Sequence, residues 1–66
     1  MSVSPTVNKL RSLRRRRGLS RRDLGRIIGR SGYAIGSYER GAKSPPAEVV
    51  AALIQWSGGE LSPDDF

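Results

Sequence analysis

Two residue types are missing from this 66-residue, 7.2 kDa chain: there is no cysteine and no histidine. Without cysteine there are no disulfides and no thiolate metal sites. Without histidine the commonest general base and the commonest metal ligand are both absent. Aromatic residues are scarce, with one Trp, two Tyr and one Phe. Hydrophobic residues make up 36%, which is low for a globular chain yet above the disordered range. A domain this small buries only about 60% of the surface its unfolded chain exposes, so its stability on its own is marginal. The longest uncharged apolar stretch, Val49 to Trp56, falls far short of the roughly 20 residues a membrane span needs. The opening Met1-Ser2-Val3-Ser4-Pro5 has no apolar core of the kind a secretory signal carries. The expectation is one domain over residues 1–66 in the cytoplasm, without membrane, metal or cofactor. No carboxylate pair has a plausible base beside it and no glycine run has phosphate-loop order, so no enzyme activity is expected.

Acidic residues are also few, six against twelve basic ones, for a net charge of +6. The charge is unevenly placed. Residues 1–43 hold all twelve bases and only Asp23 and Glu39 as acids, a net +10. Residues 44–66 hold Glu48, Glu60, Asp64 and Asp65 and no base, a net −4. Such a split points to a polyanion partner for the first part.

The helix signals are closely spaced. Ser4-Pro5 reads as an N-cap with proline in the first turn, and Val7, Leu10 and Leu13 recur at helical spacing, which predicts a helix from about 5 to 17 stopped by Gly18. Ser20 with Asp23 reads as a capping box for a short helix with Leu24, Ile27 and Ile28 inward, ending near Gly29. Ser31 caps a third helix from about Gly32 to Arg40, with Ile35, Tyr38 and Ala34 inward and Gly41 as its stop. Ser44-Pro45-Pro46 opens a fourth, whose stripe is Val49, Val50, Leu53, Ile54 and Trp56, ended by Gly58-Gly59. Ser62-Pro63 with Asp64 and Asp65 starts one last turn. Nothing alternates with period two, so the fold class is all-α. Two short helices joined by about three residues in a basic all-α domain suggest a helix-turn-helix over about residues 20–40.

The wording of that segment is specific. Gly18-Leu19-Ser20-Arg21-Arg22-Asp23-Leu24-Gly25 is similar to the GLSQEELA opening of Cro/C1-type, lambda-repressor-like regulators. Gly29-Arg30-Ser31 resembles their GVS turn, and Ile35 to Gly41 resembles their IS.(W/Y)E.G ending. The register holds without a gap from Leu10 to about Ile54, and Leu10-Arg11-Ser12-Leu13-Arg14 fits the first helix. The resemblance implies a compact domain of four to five helices that binds double-stranded DNA as a phage or bacterial repressor. It makes residues 32–40 the recognition helix, with Gly32, Tyr33, Gly36 and Ser37 at base-contacting positions. It pairs Glu39 with Arg14 as a structural ion pair, and it puts Arg21, Arg40, Lys43 and Ser44 on phosphate.

The residues themselves add further candidates. Arg22 stands beside Arg21 at a helix N-terminus, where free N–H groups already favour phosphate. Arg11, Arg15 and Arg17 are candidates at the edge of the site, and Arg30 is an extra candidate base reader. Trp56, Leu61 and Phe66 are the candidate dimer contacts, which puts the tail at 58–66 in a homodimer on a palindromic operator. Regulation is expected through concentration or through a regulatory protein partner, because no effector or self-cleavage domain is visible. Two other readings stay open: an antitoxin-like protein-interaction module and an arginine-rich RNA binder. Gly32 and Gly36 are unusual inside a helix and fit either close approach to DNA or a helix that forms on binding.

Overall fold

The structure, a computed structural model, describes the backbone of residues 5–66 and the side chains from Lys9 onward. The Ser4 cap and the place of Val7 in the core lie outside the described residues. Four helices follow in order: α1 Pro5–Arg16, α2 Arg21–Ile28, α3 Gly32–Arg40 and α4 Ala47–Ser57, with a 3-10 turn at Pro63–Asp65. No strand occurs among the described residues.

Local chemistry sets most boundaries. Ser20 Oγ accepts from the Asp23 N–H at 3.0 Å, and the Ser20 N–H donates to Asp23 Oδ2 at 3.1 Å, closing the expected capping box. Gly29 ends α2 at φ 78°, a left-handed conformation that glycine adopts without steric cost. Two residues later Ser31 Oγ accepts from the Ala34 N–H at 3.1 Å and starts α3. The fourth helix departs from expectation. It begins at Ala47, with Pro46 as an N-cap that has no side-chain bond, and Ser44 caps nothing. The double proline is the reason: a residue before proline is pushed out of the α region, and both Ser44 and Pro45 precede one.

The core joins Leu10 and Leu13 of α1, Leu24 of α2, Ile35 and Tyr38 of α3, Val49 and Leu53 of α4, and Leu61 beyond. Ile27, expected inward, is 55% exposed. At about 100° per residue, the buried set of α2 (Leu24, Gly25 and the half-buried Ile28) centres roughly 105° away from Ile27.

The tail is a second correction. Leu61 is 1% exposed and belongs to the core, so it is not a free dimer surface. Ser57 makes this possible: its Oγ donates to the Ile54 carbonyl at 2.7 Å and accepts from the Leu61 N–H at 3.0 Å, turning the chain back. The acids of the tail then meet α1, with Asp65 on Lys9 at 3.1 Å and Glu60 on Arg16 at 2.7 Å.

These bonds make the fold acid-sensitive. Hydrogen bonding from the Ser20 backbone holds the Asp23 carboxyl below its ordinary range. The Arg16 guanidinium does the same for Glu60, and the Ser62 backbone N–H followed by Lys9 for Asp65. A lowered folded-state pKa adds stability that is complete above the unfolded value, near pH 4, and disappears as pH falls through the folded value. Melting followed by circular dichroism is therefore expected to give a lower Tm at pH 3 than at pH 6. Asp23→Asn and Asp65→Asn together should flatten that difference. An unchanged Tm across the range in the parent chain contradicts this.

Candidate nucleic-acid interface

Helices α2 and α3 cross closely because both are trimmed at the crossing. A Cβ on Gly25 would strike the Arg30 carbonyl oxygen and crowd the Ser31 backbone. A Cβ on Gly32 would sit 3.1 Å from the Arg22 nitrogen and 3.2 Å from its Cα. Gly32 therefore serves helix–helix packing, and this accounts for a glycine that pattern alone left between two readings.

One carboxylate fixes α1, α2 and α3 relative to one another. Glu39, with a side chain 1% exposed, accepts from Arg14 Nε at 2.5 Å and Arg14 Nη2 at 3.2 Å. It also accepts from Arg21 Nε at 3.2 Å. Arg14 is itself buried and completes its bonding by donating from Nη1 to the Leu19 carbonyl at 2.8 Å. Arg14 and Glu39 thus form an internal ion pair, and no buried polar side-chain atom among the described residues lacks a partner.

Around this frame the expected contact residues have different fates. Tyr33 projects from the first turn of α3 with 76% of its surface exposed. Arg21, Arg22, Arg40, Lys43 and Ser44 are exposed, as are Arg11 and Arg15 on α1. Arg26, one turn beyond Arg22 on α2, is a further exposed base; its i, i+4 spacing to Arg22 was the available signal. Ser37 is 2% exposed, which removes it from the surface a base could reach. Its Oγ faces the Arg40 guanidinium at 3.5 Å, and its carbonyl accepts from the Ala42 N–H at 2.9 Å. Gly36 is likewise covered, by Arg21 and Arg40. Arg30 is turned to Glu48 at 2.6 Å.

Arg17 is occupied elsewhere. It donates to the Trp56 carbonyl at 2.6 Å and to the Ser57 carbonyl at 2.9 Å, and its guanidinium lies 4.7 Å from the centre of the Trp56 ring. It caps the C-terminal end of α4, where orphan carbonyls and the helix dipole favour a cation. Trp56 packs against the core beneath it, and Phe66 is half-exposed at 36%.

Among the described residues no group of acids could hold a metal ion, and no helix is long and apolar enough to cross a membrane. The helix-turn-helix domain family matches the chain over residues 7–60. The chain belongs to that family of DNA-binding domains, and the α2–turn–α3 unit is its defining element. No curated protein and no solved structure gives a significant match.

Proposed function

We propose that this chain is a sequence-specific transcription regulator of the Cro/C1 type, a repressor that occupies a palindromic operator as a homodimer. The observation that carries this reading is the outward face of the α2–α3 pair. Tyr33 stands free on the first turn of α3, and Arg22, Arg26, Arg40 and Lys43, exposed and without a carboxylate partner among the described residues, lie on α2, on α3 and just beyond it. α3 enters the major groove, Tyr33 packs on a base edge such as a thymine methyl, and Arg22, Arg26 and Lys43 grip phosphate. An apolar groove between α2 and α4, lined by Ile27, Ile28, Ala52, Gln55 and Trp56, supports the homodimer.

Selection from random duplex DNA tests the reading. The expected product is an inverted repeat with half-sites about 10 base pairs apart, resistant to an RNA competitor. Failure to enrich any duplex sinks it, and preferential loss to RNA favours an arginine-rich RNA binder. Tyr33→Ala is expected to cost about 1–2 kcal/mol of discrimination at one base position in each half-site, as measured by competition binding. Unchanged affinity and preference would show that the register of α3 in the groove is wrong.

A further inference from the structure

A helix in the major groove normally reads bases with its own outward side chains, yet beyond Tyr33 this α3 has few to offer. Gly32 faces the backbone of α2, Gly36 has no side chain, and Ser37 is buried. Two guanidinium groups occupy that bare stretch instead. Arg21 arrives from the first residue of α2 and Arg40 folds back from the last residue of α3. A Cβ on Gly36 would lie 3.1 Å from Arg40 Nη1, 3.4 Å from Arg21 Cδ and 3.5 Å from Arg21 Nε. Gly36 is therefore the gap in which the two arginines meet.

Their bonding leaves the recognition edge of Arg21 free and holds that of Arg40 only by one long contact. Arg21 is tied to Glu39 through Nε alone, so its outer edge, Nη1 with Nη2, has no partner among the described residues. Arg40 has no carboxylate partner among them, only the 3.5 Å approach to Ser37 Oγ. Glu39 is the one acid shared by Arg14 and Arg21, so with Arg40 beside them the cluster holds three cations against one anion. An external acceptor is favoured there.

We infer that Arg21 and Arg40, brought together over Gly36, are the specificity-determining residues of the interface and that the base they select is guanine. A guanidinium pinned at Nε presents two parallel donors at fixed spacing, which match the O6 and N7 acceptors of guanine in the major groove. Phosphate can accept the same fork, but it is the same at every base pair, so only a guanine contact makes affinity depend on single guanines. The resemblance to Cro/C1-type regulators places both arginines on phosphate; here the glycine gap turns them toward the bases. Gly36 acts as the positioning residue. The inference rests on the DNA-binding reading proposed above.

The experiment begins with the site selected by the parent chain and replaces its guanines, one at a time, by 7-deazaguanine. That change deletes the N7 acceptor and leaves the pairing and the phosphates intact. At one or two positions per half-site the parent is expected to lose roughly 5- to 150-fold in affinity. Arg21→Lys and Arg40→Lys keep the charge and should bind the unmodified site more weakly by a similar factor, each with no further loss at one of those guanines. Gly36→Ala should do the same while its helical circular dichroism is unchanged; if it fails to fold, the lysine variants still decide. Indifference of the parent to every 7-deazaguanine, or lysine variants that retain full discrimination, overturns the inference and leaves the arginines on phosphate. Absence of any selected duplex instead overturns the DNA-binding reading itself, and this inference with it.

Discussion

Glu39→Ala is expected to remove a third or more of the folding stability, about 3–5 kcal/mol. The substitution strands Arg14, whose side chain is only 9% exposed, with the Leu19 carbonyl as its one remaining partner. Removing one member of a buried pair costs about 3–5 kcal/mol, because the other charge stays buried without compensation. At roughly 0.05–0.15 kcal/mol per residue, a chain of this length has about 3–10 kcal/mol in total. The loss is therefore a large part of the whole stability, and it strikes the junction of three helices at once. Urea denaturation followed by circular dichroism measures it. Glu39→Gln keeps an acceptor and should fall between the parent and Glu39→Ala. Arg14→Met combined with Glu39→Gln should cost less than the two single changes added together, since neither charge is then left alone. A Glu39→Ala variant with an unchanged midpoint would mean that water reaches Arg14 and that the pair is no keystone.

Gly25→Ala carries the second large effect, with a sign opposite to helix propensity. In an open helix the swap stabilises by about 1 kcal/mol. Here the new methyl meets the Arg30 carbonyl oxygen and the Ser31 backbone, which are part of the turn itself and have no rotamer to escape into. Overpacking of this kind costs about 1–3 kcal/mol and sometimes more, and rigid backbone on the far side places this case at the upper end. A Tm lower by roughly 10–20 °C is expected for a domain of this size. Gly36→Ala is the internal control for stability. Its methyl meets arginine side chains, Arg40 Nη1 and Arg21 Cδ, which can swing aside, so its Tm should move little. Equal melting of Gly25→Ala and the parent would mean that α2 and α3 can part without penalty.

The comparison of these glycines shows what could be read from sequence and what could not. The ends of α2 and α3 were legible because Ser20, Gly29, Ser31 and Gly41 act within three or four residues of themselves. The start of α4 was misplaced because a hydroxyl before proline looks like a cap while the second proline forbids the helix. Ile27 was placed inward by its spacing, but α2 has only eight residues, and the packing of Gly25 against the turn rotates its buried face away. In the site, Arg14 and Glu39 are 25 residues apart, and only the resemblance to Cro/C1-type regulators pairs them. The burial of Ser37 and Gly36 depends on side chains arriving from both ends of the helix-turn-helix, and no local pattern encodes that. Arg17 follows the same rule, since its partners in α4 lie 39 and 40 residues away, and Leu61 is buried by the core that the whole fold assembles.

The acidic tail also changes how this chain counts as a polyelectrolyte. Lys9, Arg14, Arg16, Arg17, Arg21 and Arg30 already face carboxylates of their own chain, but they share four of them, Glu39, Glu48, Glu60 and Asp65, so four of the twelve positive charges are offset internally. Only charges without such a partner release ions in full when they meet a duplex, at about 0.9 per phosphate neutralised. Eight uncompensated charges give a ceiling of about 7 released ions, where twelve would give about 11. A chain with a pI near 11.2 thus meets nucleic acid with about two-thirds of its cationic charge uncompensated, and its grip on arbitrary sequence is weaker by the same reasoning.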